Sequence, residues 1–299
     1  MRRPPAARTP ERFRRSPIVF GHSSIDEKRV YGPDSDGTAL FVASETGLAR
    51  VAVVGTRIGE IELLDRDATH DLALHDGRLA VATDEDVYLG TDTDAESTGF
   101  GETTAINSDG TLLAAAPDGT VARRTGGEWQ NVGTVAEPRA IDGSLIAAAD
   151  GVYRCSDTDC QHVGLDAASD VAAPGTPHAA TAEGLYRLAN GWLPVLDGSF
   201  TMVCTDRATT SPGAIGRAHA ASAGTLYRHA DGEWTTVDAV DREVVDVAYG
   251  SAKSGSGSGV YAVTADGTLL SETDDGWRDH PLGLAGIQAI VARPDRKPV

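Results

Sequence analysis

The chain has 299 residues, 40% of them hydrophobic, enough to bury a sizeable core and to exclude a wholly disordered polymer. Its 44 acidic and 26 basic residues give a formal charge of −18, and only Lys28, Lys253 and Lys297 among the bases are lysine. That balance argues against a globular surface that wraps nucleic acid, which needs phosphate neutralisation, and it suits a halophilic cytoplasm, where concentrated counterions screen self-repulsion.

The first seventeen residues, MRRPPAARTPERFRRSP, run the other way, with six Arg and one Glu. Four Pro preclude a continuous helix. The Arg doublets are followed only by Ile18, Val19 and Phe20 before polar GHSSIDEKR, short of the roughly 7–15 apolar residues of an export signal. No window approaches the ~20 apolar residues of a membrane span. Residues 1–24 read as a disordered Arg/Pro-rich arm, and the protein as cytoplasmic with no membrane partner. Nucleic-acid binding through this arm is the sharper alternative.

Further along, one phrase recurs seven times: FVASETGLAR, LAVATDEDVYL, LLAAAPDGTVARR, LIAAADGVYR, HAATAEGLYR, HAASAGTLYR and VYAVTADGTLLS. Anchored on the apolar residue after the turn, the copies fall at Leu48, Val87, Val121, Val152, Leu185, Leu226 and Leu269. In each unit a small-residue strand meets an acidic-glycine turn and a second strand. A second turn follows, often ending in Trp, as in GGEW (126–129), NGW (190–192), DGEW (231–234) and DDGW (274–277). A short strand comes next, then a buried-looking one such as DLAL (71–74), DVAA (170–173) or DVAY (246–249). Sustained 3.6-residue periodicity is absent, so the fold class is all-β.

Seven four-stranded units at this period predict a β-propeller over residues 25–299. Its terminal strand GIQAIVARP (286–294) closes the ring by pairing with the first blade. GSAKSGSGSG (250–259) lacks a GK[ST] ending and reads as a flexible insertion in the last blade.

The Trp turns SETDDGW (271–277), HADGEW (229–234) and RTGGEW (124–129) resemble degenerate Asp-boxes of sialidase-like propellers. The seven-phrase pattern with KRVYG near the start resembles a haloarchaeal β-propeller family over about residues 25–299. The resemblance implies fold and lineage, and Asp-boxes imply structural turns without a catalytic role.

What recurs in every unit is framework; chemistry belongs where the units differ. By that test the repeated Arg50, Arg123, Arg154, Arg187 and Arg228 are structural, as are His178 and His219. The inner-strand acids Asp71, Asp170 and Asp246 are candidate binding residues at the channel rim, together with Arg139; at the matching positions the other units carry Thr104, Arg139, Met202 and Gln288. Three converging carboxylates would suit Ca²⁺ or another divalent cation; the plainer reading makes each an acceptor for its own blade's loops. No other cofactor and no catalytic residue is expected. Cys155 and Cys160 face each other across a hairpin and, with His162, make only a partial zinc set; an unpaired or redox-sensitive thiol pair is the expectation. The sequence thus points to a non-enzymatic binding platform for a protein partner or small ligand. A glycoside hydrolase or lyase with its site at the channel mouth is the alternative.

Overall fold

The computed structural model describes residues 37–54, 57–91, 94–250 and 259–295; the N-terminal arm and most of the 250–259 insertion lie outside them. The described residues form seven four-stranded antiparallel sheets arranged as propeller blades. Blade 1 contains β1 (Gly37–Ser44), β2 (Gly47–Val54) and β3 (Arg57–Asp65), and takes its innermost strand from the far end of the chain, β28 (Ile287–Asp295). β28 runs antiparallel to β1 from Gly37↔Asp295 to Ser44↔Ile287, which is the closure expected from the sequence. Blades 2 to 7 each use four consecutive strands, spanning residues 69–97, 105–134, 138–164, 170–197, 202–241 and 244–281. Their innermost strands are β4 (Thr69–His75), β8 (Ala105–Ser108), β12 (Pro138–Asp142), β16 (Asp170–Ala172), β20 (Met202–Thr205) and β24 (Val244–Tyr249).

The core is divided rather than central. Seven apolar clusters each lie between two neighbouring blades; one joins Leu40, Val42 and Val51 of blade 1 to Val263 and Leu269 of blade 7. All seven anchor residues are buried, none above 3% exposed, so the repeated phrase supplies the wedge that each interface needs. Alanine recurs on the second strand because blades converge toward the axis: Ala39, Ala80, Ala114, Ala147, Ala179, Ala220 and Ala262 are all fully buried. The glycine before the anchor has a related cause. At Gly151, with φ of 134°, a Cβ would overlap the carbonyl oxygen of Leu165 where the blade's outer edge folds back.

The Trp turns lie between each blade's third and fourth strands, and their indoles reach the preceding blade. Trp129 packs on Phe100 and donates to Thr98 Oγ1 at 3.2 Å, and Trp192 donates to the Val163 carbonyl at 3.1 Å. Trp234 and Trp277 stand beside His178 and His219 of the preceding blade. Burial lowers these two imidazoles, to about 4 and about 3 respectively, so both are neutral fillers of the seams. Arg123 and Arg228 likewise reach forward to Asp157 and Glu272 of the next blade. His162, His229 and His280 sit on outer strands.

Cys155 and Cys160 are directly paired across their hairpin and joined as a disulfide, not left as free thiols. Direct cross-strand pairing, with Cα atoms 4.0 Å apart, brings the sulfurs together and leaves neither for a metal.

Candidate functional site: the axial channel

The seven inner strands surround a cavity of about 960 Å³. Asp71, Asp170, Asp246 and Arg139 all line it. The three aspartates share one geometry. One oxygen of each accepts the N–H of the following residue: Leu72, Val171 or Val247, each at 2.7 Å. The other accepts an N–H from the next blade's inner strand, from Ile106 at 2.8 Å, Val203 at 2.8 Å and Ile290 at 2.9 Å. The acceptor role expected for these acids is therefore present, but it ties blade to blade (2 to 3, 5 to 6 and 7 to 1) rather than serving the blade's own loops. Asn107 and Asp142 make comparable links from the opposite ends of their strands, to Gly143 N and Ala173 N.

Burial pushes the Asp71 carboxyl up to about 7 and Asp246 up to about 6, while their N–H bonds pull the other way. Asp170 is also held well above the usual carboxylate range by burial, with the Asp246 charge adding to it. Among the described residues, no group of three or more His, Cys, Asp or Glu is arranged to hold a metal ion.

Arg139 does not occupy the aspartate position. Strand register shows that the clip position in the seven blades is Asp71, Ala105, Ala140, Asp170, Met202, Asp246 and Ala289, opposite a second-strand residue in each case. In blades 1, 2, 4 and 7 the preceding residue is skipped by a register shift: Gln288, His70, Arg139 and Val245 respectively. Such β-bulges turn a side chain away from the ladder. In the other three blades the same place is taken by Thr104, Ser169 and Thr201, just before the strand begins. All seven of these residues line the cavity. Thr104, Arg139 and Gln288 thus stand one residue before the aspartate position expected for them, and only Met202 occupies it.

Arg139 is exposed and donates through Nη1 to the Ala168 carbonyl at 3.1 Å. His70 Nε2 contacts Asp84 at 2.6 Å on the same rim.

At the other mouth, the long connection from β20 to the next strand of blade 6 carries features no local pattern announced. Arg207 pairs with Asp142 of blade 4, passing across the end of blade 5. Asp206 holds Arg217 through Nε at 3.1 Å and Nη2 at 2.7 Å, and Arg217 lies 5.2 Å above the Tyr249 ring. Tyr249 in turn contacts His219 Nδ1 at 2.8 Å and Cys204 Sγ at 3.4 Å, so Cys204, which burial keeps protonated, belongs to the seam between blades 6 and 7.

The architecture has solved counterparts at low identity. An ancestral GH74 enzyme is 13% identical with a TM-score of 0.57 over 81% of this chain and 44% of its own. PorZ, an essential surface component of the type-IX secretion system of Porphyromonas gingivalis, is 13% identical with a TM-score of 0.53 over 76% of this chain and 34% of its own. The chain thus spans less than half the length of either. The computationally designed protein Ika8 is 14% identical with a TM-score of 0.51 over 87% of this chain and 95% of its own. No curated protein matches the sequence. A family profile described as an HVO_0234-like beta propeller matches residues 24–293, with a haloarchaeal locus prefix, and the chain belongs to that family.

Proposed function

We propose that the protein is a non-enzymatic binding platform that receives a small polar ligand in the mouth of its axial channel. The observation that carries this reading is a division of labour in the channel wall. The inner-strand acids are committed to N–H groups that tie blades together, while the residues just before them line the cavity, their side chains standing apart from those links. A cavity of about 960 Å³ is in the size range of small-molecule sites. A hydrolase or lyase would use the raised Asp71 and Asp246 carboxyls, but general acid–base work needs groups free to reach substrate, and both oxygens of each are occupied.

The test is a thermal-shift panel of polar small molecules in concentrated KCl, followed by proton NMR of each hit after prolonged incubation with the protein. A ligand that raises the melting temperature and is recovered unchanged supports the platform. A hit that is turned over, with turnover lost in Asp71→Asn or Asp246→Asn, refutes it in favour of the enzyme. A panel with no hit also refutes it.

A further inference from the structure

Resting on the channel-platform reading, we propose that the residues preceding the clip position form its ligand-contact layer, built for a polyhydroxylated small molecule carrying one carboxylate or phosphate, with Arg139 holding the oxyanion. Backbone geometry is the first ground. Four of these residues are displaced by β-bulges at the same place in four separate blades, and the other three stand just outside the strand. The recurring irregularity is framework, but it delivers one side chain per blade, different in kind from blade to blade, to a common level of the cavity wall.

Chemistry is the second ground. Six of the seven side chains are polar, and none is a carboxylate, in a chain with 44 acids. Thr104, Ser169, Thr201 and Gln288 make no side-chain hydrogen bond to another described residue, so hydroxyl and amide groups are left facing the cavity. These suit exchange of hydrogen bonds with ligand hydroxyls.

Charge is the third. Three basic side chains line the cavity: Arg207 pairs with Asp142, and His70 contacts Asp84. Arg139 pairs with no carboxylate among the described residues; its one bond, to the Ala168 carbonyl, orients the guanidinium and leaves the rest of the fork unused. A planar fork of this kind takes a carboxylate or phosphate through two parallel bonds. The acids immediately below the layer are raised by burial, which reduces the negative charge that an incoming anion meets at neutral pH. Asp84, which His70 contacts, and Glu102 also line the cavity, but the seven positions themselves offer a cationic ligand no acid and an apolar one only Val245.

Isothermal titration in concentrated KCl tests the inference with four probes: gluconate, glucose 6-phosphate, glucose and glucosamine. The full chain is compared with Arg139→Ala, Arg139→Lys and Thr201→Val. At least one of the two anionic probes is expected to bind one-to-one, at least 20-fold weaker in Arg139→Ala, with part of the loss restored by Arg139→Lys and a several-fold loss in Thr201→Val. Whichever anion binds separates the carboxylate source from the phosphate source. Arg139 is exposed, so the alanine variant should melt within a few degrees of the parent, and that melt is the folding control. Anion binding indifferent to Arg139→Ala overturns the inference. Binding of glucose or glucosamine alone overturns it while leaving the platform reading standing, as does silence from all four probes when the wider thermal-shift panel gives hits.

Discussion

Deleting residues 284–299 removes β28 and with it the strand that closes blade 1. Eight residues of β1 lose their ladder partners, and each ladder bond is worth about 1 kcal/mol net. Ile287 and Ile290, 5% and 3% exposed, would each forfeit roughly 2–3 kcal/mol of burial. Asp246 would lose the Ile290 N–H while remaining buried, and the newly bared β1 edge, with Phe41 and Val42 in its middle, would be a template for aggregation. These losses sum to more than about 10 kcal/mol, comparable with the roughly 5–15 kcal/mol total stability of a natural domain. The truncated chain should therefore show no cooperative transition in a thermal melt followed by far-UV circular dichroism. A synthetic peptide of residues 284–299 added in trans should restore the transition, at a temperature that rises with peptide concentration. A truncated protein that melts within a few degrees of the parent would refute the closure energetics.

Three further outcomes follow from the seams. Asp170→Ala orphans the Val171 and Val203 N–H groups and should cost roughly 2–4 kcal/mol in urea unfolding, with Asp170→Asn closer to wild type. Because Asp71 and Asp246 hold protons more tightly folded than unfolded, their contribution to stability is complete below about pH 4 and is lost as pH rises to about 7; for Asp246 alone, moving from 3.8 to about 6 corresponds to about 3 kcal/mol. Urea midpoints should fall between pH 5 and 7.5, and the fall should be shallower in Asp246→Asn. Reducing the Cys155–Cys160 disulfide, which closes a very short loop, should cost about 2 kcal/mol by chain entropy, seen as a lower melting temperature with reductant that is absent in a Cys155→Ala/Cys160→Ala variant.

The ring was legible because its signals are local and repeated. An anchor such as Leu185 or Leu226 announces its blade by a turn and an apolar residue a few positions apart, and seven such anchors give seven blades. The closure was legible too, since β28 has the composition of an inner strand and no partners following it. The candidate site was legible only in part. A stretch such as EPRAID carries no mark that Arg139 is bulged and Ala140 takes the clip position, and composition is equally silent at Thr104 and Gln288. The second donor to each of Asp71, Asp170 and Asp246 belongs to a neighbouring blade 33 to 44 residues away, beyond any local pattern. The Arg207–Asp142 pair spans 65 residues and depends on blades 4 and 6 being held at a fixed angle by blade 5. The Cys155–Cys160 disulfide is marked in the sequence only by its hairpin spacing, since composition argues for a reducing compartment.

The seven interfacial clusters have a consequence for how the chain could be rewired. With the apolar contacts shared among equivalent wedges, no blade is first except by where the ring is opened. Joining the present ends by a linker and cutting the backbone between the first and second strands of another blade would move the seam without removing a wedge. The strand borrowed from the far terminus would become an ordinary neighbour, and another blade would be completed from both ends. Circular permutants opened at different seams should share one fold and differ chiefly in the order in which blades are made.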